Sequence, residues 1–482
     1  LPEEINKAPI ARLNTPEVVL EGQSIVLSSA GSTDLDGFIH DFQWDFNYDG
    51  LHFDKTTIDS TDASPTLFVA DGPLSQTIAL RVIDNLGVPT LVTSTITITN
   101  IPPTASVIGD IIGVPGQTRN FTLSATDPSP IDTAAGFTFS VDYGDGTSQT
   151  TLPRQSLNVS HIYSAEGANK LKITATDKDG GISDVVTHTV EIKAAAIIPD
   201  PNDPTQTDLF VGGTPGDDQI NVTQQGASGV YSVSLNGQFK GNFSPTRRIV
   251  IYAIGGNDTI RVPNSYLPVE MYGSTGNDNF DGGVGKVTMY GGADDDTYNI
   301  DSLNDVTIEY PNQGNHDTII ASFDYTLGAN FEDLTSKENS AALNGTGNEG
   351  SNIITGNSAN NILNGGDGND RLIGGRGADI LTGGSGSDTF VYTDITDAGD
   401  MIMDFTVGSD KIEIKDVLKS RGYGGSNPMT DGYLSVRQVN AGLTSVQFDP
   451  DGLGNLFRPA PFILLKNVQA STLDINSFVF KA

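Results

Sequence analysis

Gly365-Gly366-Asp367-Gly368-Asn369-Asp370-Arg371-Leu372-Ile373 is the first of three consecutive nine-residue words, continued by 374–382 and 383–391. Each word has the form G-G-x-G-x-D-x-U-x, with U a large apolar residue: Leu372, Leu381 and Phe390. Nine residues divide into a turn of about six and a strand of about three, so two words close one coil and like turns stack every second word. Stacked strands sit about 4.8 Å apart. Calcium takes oxygens at about 2.3–2.6 Å, so two oxygens across one ion are also about 5 Å apart. Asp370 and Asp388 therefore stack at the spacing one calcium ion bridges, and without a cation they repel. The glycines let the turn enter positive φ and aim its carbonyls at the ion. The word is that of calcium-binding β-helix repeats, and this spacing agrees with a parallel β-roll whose coils hold several Ca2+ ions between like turns.

Composition points the same way. The chain has 60 acidic and 26 basic residues, a formal net charge of −34. Such a chain does not seek nucleic acid or anionic lipid. The aspartates are interleaved with glycine and apolar residues, as in a protein built around divalent cations. There is no cysteine, so disulfides, Cys–zinc sites and thiol nucleophiles are excluded. No apolar run approaches the roughly 18 residues of a membrane span. The chain begins at Leu1 with neither an initiator Met nor a signal-peptide pattern, and is expected to be a mature or excised piece of a longer polypeptide.

Residues 1–100 and 101–193 read as two β-sandwiches. Alternating runs such as Thr77-Ile78-Ala79-Leu80-Arg81-Val82 are bounded by Gly, Pro and Asn. The halves repeat each other: Trp44-Asp45-Phe46-Asn47-Tyr48-Asp49-Gly50 answers Val141-Asp142-Tyr143-Gly144-Asp145-Gly146, and Asp84-Asn85-Leu86-Gly87 answers Asp177-Lys178-Asp179-Gly180. On these residues both halves resemble the PKD family, an immunoglobulin-like module of secreted and surface proteins. The resemblance implies a non-catalytic spacer or a contact for surface proteins or extracellular polysaccharide. Some PKD modules bind calcium near the start of the domain, and the matching residues are Asn6, Ser32, Asp34, Asp36 and Asp84. In the second half Asn100, Asp127 and Asp177 remain, but Asp127-Pro128-Ser129-Pro130 departs from the pattern and predicts a weaker site.

Residues 194–208 hold Pro199, Pro201 and Pro204 and read as a stiff linker. A degenerate repeat block follows over 209–336, then a regular one over 337–395. In the first, Asp258, Asp278 and Asp296 take the aspartate position, while Val287 replaces it in the word between the last two. Phase is lost over 299–335, where plain strands are expected to extend or cap the roll. In the second, Asn352 and Asn361 stand in the aspartate position and are expected to stack as asparagine ladders.

Read together, these blocks resemble the RTX, or hemolysin-type, calcium-binding family. There, one ion takes positions two, four and six of one turn and one, three and six of the turn two words on. The resemblance implies a best site of Gly366, Gly368, Asp370, Gly383, Ser385 and Asp388. A second comprises Gly375, Gly377 and Asp379, closed by Asp397 or Asp400. A third comprises Ser274, Gly276, Asp278, Gly291, Ala293 and Asp296. Residues 396–482 resemble the β-rich C-terminal target domain of type I secretion substrates, implying export to the cell surface or medium of a Gram-negative-type bacterium.

No catalytic constellation emerges. The five histidines are scattered, with no H-E-x-x-H word, G-x-S-x-G elbow or P-loop. The sequence reads as an all-β, secreted, calcium-binding, non-catalytic surface, matrix or adhesion protein. Two other readings are the spacer and export half of a secreted exoenzyme, and the subunit of a calcium-dependent filament or surface layer. For the last, open roll ends and a flexible arm at 1–8 would support head-to-tail self-association by strand addition.

Overall fold

The computed structural model describes residues 5–53, 57–338, 341–454 and 456–481. The chain is almost entirely β and divides into two compact units.

The first unit holds two immunoglobulin-like sandwiches. In the first sandwich, Val18–Leu20, Pro89–Thr99, Leu74–Asp84 and Ile39–Asp45 pair in that order, and Ser24–Val26 pairs with Thr66–Phe68. Inward residues of both sheets, among them Trp44, Leu67, Ile78, Leu80 and Ile96, make one core. The period-two alternation of Leu74–Asp84 and Pro89–Thr99 supplies that face. In the second sandwich, Ser148–Thr150, Thr138–Asp142, Gly167–Thr176 and Val186–Ile192 form one sheet. Ser156–Ile162, Thr118–Thr126 and Thr104–Gly109 form the other. Trp44 and Val141, which answer each other in the sequence, are both fully buried. The indole N–H of Trp44 donates to the Asp62 carbonyl at 2.7 Å, so the larger ring is satisfied.

The second unit is the parallel β-roll and its C-terminal cap. One wall is a continuous sheet of 13 strands. Its strands are short: Asn279–Asp281, Thr297–Ile300, Thr318–Ala321, Asp333–Ser336, Ile353–Thr355, Arg371–Ile373 and Thr389–Val391 follow one another in parallel. Leu372 pairs with Phe390 and, on the opposite wall, Leu363 pairs with Leu381, so two words make a coil. The apolar position of each word fills the interior: Phe280, Tyr298, Ile319, Leu334, Ile354, Leu372, Leu381 and Phe390 are all buried. The opposite wall is split. Its first sheet ends at Val306–Ile308 and its second starts at Tyr325–Thr326. The stretch where nonapeptide phase is lost thus keeps one wall intact and breaks the other.

Four expectations need correction. The linker is not a spacer: Ala195–Pro199 pairs antiparallel with Thr207–Gly212, and Ala194, Ala195 and Ala196 are buried. Three alanines and two isoleucines outweigh the prolines: Pro199 takes the last position of the strand, and Pro201 and Pro204 are left to the turn. The roll does not end on bare parallel coils. The hairpin of Tyr231–Leu235 and Gln238–Phe243 finishes one end, and the antiparallel strands Leu434–Asn440, Leu443–Phe448 and Ala460–Lys466 finish the other. Of the expected arm at 1–8, residues 1–4 lie outside the described residues. Asn6 and Lys7 are tied down by bonds to Asp84 and Asp36. Finally, Asn352 and Asn361 do not build asparagine ladders: each stacks against an aspartate, its N–H donating to Asp370 or Asp379. Their Nδ2 groups donate to the carbonyls of Phe331 and Leu343 at 3.1 and 3.0 Å. The ladder runs one position earlier, where the backbone N–H of Asn277 donates to the Asn257 Oδ1 and that of Ser387 to the Asn369 Oδ1, each at 2.8 Å.

Candidate metal centre

The aspartate of each word makes the same contact throughout the roll. Its Oδ1 accepts the backbone N–H of the equivalent residue one coil earlier. Asp218 N–H donates to Asp258 at 2.7 Å, Asp258 to Asp278 at 2.8 Å and Asp278 to Asp296 at 2.8 Å. In the regular block Asn352 donates to Asp370 at 2.8 Å and Asp370 to Asp388 at 2.9 Å. On the other side Asn361 donates to Asp379 at 2.6 Å and Asp379 to Asp400 at 2.8 Å. These bonds fix each carboxylate against its coil and leave the second oxygen to its own fate.

That second oxygen is the informative atom. Oδ2 of Asp258, Asp278, Asp296, Asp370, Asp379, Asp388 and Asp400 is buried and accepts no hydrogen bond. A buried carboxylate oxygen without a partner is costly, and seven in register are not accidental strain. Burial, the largest cause, pushes the carboxyls of Asp258 and Asp296 up to about 8 and that of Asp278 to about 7. Burial likewise raises Asp370 and Asp379 to about 6 and Asp400 to about 7. A cation beside Oδ2 removes the penalty, because opposite charge favours the ionised form.

The glycines shape the space around these oxygens. A Cβ at Gly365, Gly374, Gly383 or Gly291 would collide with Oδ2 of Asp370, Asp379, Asp388 or Asp296 respectively. Positions two and four of the word carry the left-handed backbone: Gly366 and Gly368 have φ of 108° and 113°, Gly375 and Gly377 of 84° and 132°. In the degenerate block Ser274 occupies position two at φ 88° and Asp294 position four at φ 78°, so the turn imposes the conformation even on residues that resist it. Gly276 keeps the glycine at φ 103°. Ser385 and Ala293 lie at the ends of the strands Ile380–Ser385 and Val287–Ala293.

Of the alternatives Asp397 and Asp400, the structure stacks Asp400 on Asp379. Asp397 instead closes a capping box, its Oδ2 accepting from Thr393 and Asp394 backbone N–H groups at 2.9 Å. Val287, the gap in the first block, points into the core and is fully buried. Two acidic members of the ladders escaped sequence reasoning. Asp410 accepts from Asp388 N–H at 3.0 Å and Asp317 from Asp296 N–H at 2.8 Å. Asp296, Glu309 and Asp317 place carboxylate oxygens within 4.8 Å of one another, all three buried. Burial raises Glu309 to about 7 and Asp317 to about 6. Their spacings of 21 and 22 residues break the 18-residue register, which hid them. Gly408-Ser409-Asp410 was the legible signal, since it keeps positions four and six of the word.

In the first sandwich Asn6, Asp34, Asp36 and Asp84 come together. Asn6 Nδ2 donates to Asp84 Oδ2 at 2.7 Å, Lys7 N–H to Asp36 at 2.8 Å, and Asp34 Oδ2 is buried without a partner. Ser32 does not join them: its Oγ accepts from Arg12 N–H at 2.9 Å. The second sandwich repeats the frame. Asn100 Nδ2 donates to Asp177 Oδ2 at 2.9 Å, and Asp127 Oδ2 and Asn100 Oδ1 are buried without partners.

Among known families, the PKD domain matches residues 100–193, and the RTX calcium-binding nonapeptide repeat (4 copies) matches 272–306, 346–381 and 355–390. The chain carries a PKD domain and RTX repeats, and RTX nonapeptide repeats bind calcium ions. No curated protein matches. Among solved structures, the PKD domain of an M14-like peptidase from Thermoplasmatales archaeon SCGC AB-540-F20 is 26% identical, over 20% of this chain and 98% of that one, with a TM-score of 0.18. The AlgE6R3 subunit from the Azotobacter vinelandii mannuronan C5-epimerase is 29% identical, over 29% and 79%, with a TM-score of 0.23. The Clostridium thermocellum CbhA fibronectin(III)-like modules are 13% identical, over 38% and 94%, with a TM-score of 0.18.

Proposed function

We propose that the chain is an exported, non-catalytic surface or matrix protein whose roll is completed by calcium outside the cell. The observation that carries this is the set of seven buried, unpartnered Oδ2 oxygens on the ladders of the roll. In this reading Asp370 and Asp388 hold one ion with backbone oxygens of Gly366, Gly368, Gly383 and Ser385. Asp379 and Asp400 hold a second with Gly375 and Gly377. Asp278 and Asp296 hold a third with Ser274, Gly276, Gly291 and Ala293, and Asp258 extends that row. Hard oxygen ligands from several turns suit calcium. Asn6, Asp34, Asp36 and Asp84 form a separate site that secures the start of the first sandwich.

The same residues account for export through a type I route. Inside a cell with little free calcium the aspartates repel and the repeats stay threadable. Outside, the ion folds them. Among the described residues no helix is long and apolar enough to cross a membrane. The sandwiches then serve as spacers or contacts for surface proteins or polysaccharide. Calorimetry on the intact chain tests the core of this reading. The transition of the roll should move upward in millimolar calcium relative to chelator, as any native-state ligand requires. Identical melting in both would overturn it. A screen against proteins, esters and polysaccharides tests the non-catalytic role, which turnover abolished by one point substitution would refute.

A further inference from the structure

Away from the roll, the junction of the two sandwiches gathers a second kind of acidic site. Glu21, Asp71, Asp132 and Asp179 each place a carboxylate oxygen within 4.8 Å of the others. Glu21 and Asp71 come from turns of the first sandwich, Asp132 from the short helix Pro130–Ala135 and Asp179 from the turn after Gly167–Thr176 in the second. Glu21 and Asp132 are completely buried. Glu21 is already a brace, accepting from Gly72 N–H at 2.9 Å in its own sandwich and from Ile101 N–H at 2.6 Å at the start of the next. Asp132 has no such work: neither of its carboxylate oxygens accepts a hydrogen bond. An ionised side chain with no exposure and no hydrogen bond, aimed into three other carboxylates, calls for positive charge.

Among the described residues, Lys178 is the cation that reaches the cluster. Lys178 Nζ bonds Asp179, lies 2.8 Å from Asp71 Oδ1 and stands 3.6 Å from Asp132. A single ammonium against four carboxylates leaves a formal charge of −3, and 3.6 Å is too long for a hydrogen bond to the most buried member. Lys178 is part-exposed on a flexible stem and can swing to water.

We propose that this junction is a divalent-cation site of the calcium class, in which the ion takes the place of the Lys178 ammonium and ties the first sandwich to the second. It is distinct from the Asn6 and Asn100 clusters and goes beyond the proposed role of the roll. The donor set is all carboxylate oxygen, which suits a hard cation, and the partly exposed Asp71 and Asp179 leave room for water ligands. Because the donors come from both sandwiches, occupancy sets how stiffly the two are joined.

Calcium alone, added to the full chain, is the probe. Native mass spectrometry at saturating calcium should count one ion fewer in Asp132→Asn than in the parent, with the ions of the roll retained; an unchanged count would overturn the proposal. Lys178→Ala removes the competing ammonium, so the calcium concentration that loads this ion should fall by about tenfold. No change in that concentration, or loss of thermal stability in Lys178→Ala that calcium does not restore, would show that lysine is the sole counter-charge. Crystals grown with calcium give the direct view: anomalous density between Asp71 and Asp132 supports the site, and density confined to the roll with Lys178 still bonded to Asp179 refutes it.

Discussion

Asp370→Asn should change the sign of its effect when calcium is removed. Without the ion, the Asp370 carboxylate keeps one hydrogen bond, from Asn352 N–H, and buries its other oxygen unpaired. Burial raises its pKa from 3.8 to about 6. A shift of about two units corresponds to about 3 kcal/mol of penalty on the ionised form at neutral pH, and solvent penetration around the turn reduces that to about 1–2 kcal/mol. An amide keeps the Oδ1 acceptor and carries no charge, and the fold already seats Asn352 and Asn361 at this position of the word. In chelator the variant should therefore be more stable by about 1–2 kcal/mol, raising the melting temperature of the roll by about 2–5 °C. In calcium the same change removes one of the two carboxylates that the proposed site gives to the ion shared with Asp388. An ion held at a thousandfold over its Kd contributes about 4 kcal/mol, so losing most of that occupancy should lower stability by about 2–4 kcal/mol. Paired calorimetric scans at pH 7.5 on the full chain, with calcium and with chelator, read both numbers. Equal destabilisation in the two conditions would refute the reasoning, because it would mean that Asp370 acts through packing and not through charge.

The other expectations follow from the same atoms. In chelator, stability of the roll should fall as pH rises from about 5 to 8. The folded pKa values of Asp258, Asp278, Asp296 and Asp400 are raised to about 7–8, so the folded state binds more protons than the unfolded one across that window, and melting curves against pH should reverse slope once calcium is added. Gly383→Ala drives a methyl into Asp388 Oδ2 and should weaken calcium binding by the regular block at least about tenfold in an ion titration, while Gly424→Ala, with open space around it, should not. Ser274→Gly relieves a non-glycine residue at φ 88° and should stabilise by about 1 kcal/mol in a denaturant titration. Hydrogen exchange in chelator should leave the amides of Asn352 and Asn361 better protected than those of Asp278 and Asp296.

Much of this molecule was legible because its signals are local and periodic. The 18-residue repeat from Leu372 to Phe390 set the coil, and alternation in Leu74–Asp84 set the sandwiches. What was hidden depends on contacts that no period announces. Asp317 and Asp410 join the ladders at irregular spacings, and Glu309 completes a buried triad from a wall that breaks beside it. Asp397 and Asp400 were equivalent in the sequence; only the capping box around Thr393 and Asp394 separates them. Prolines at 199, 201 and 204 suggested a spacer, but the alanines and isoleucines before them had a sheet edge to join. Asn352 and Asn361 were read for what they share with a ladder, when their amide hydrogens had backbone carbonyls within reach.

Those asparagine coils explain how one roll can depend on calcium and still have a place to begin. At Asp278, Asp296, Asp370 and Asp388 the turn is closed by a carboxylate whose second oxygen is left over, and its charge must be met from outside. At Asn352 and Asn361 the same position is closed from within. Asn352 Nδ2 donates to the carbonyls of Phe331 and Glu332 at 3.1 and 3.2 Å, and Asn361 Nδ2 to that of Leu343 at 3.0 Å. Each amide supplies a donor where aspartate has only acceptors, so the turn satisfies its carbonyls and its closing position carries no charge. These asparagine-closed turns sit between the acidic ladder that reaches Glu332 and the one starting at Asp370. On the proposed reading they hold their register at any calcium concentration, and the ion extends order outward in both directions. On the same reading, the order of folding follows which words carry Asn and which carry Asp, a choice of one atom per turn.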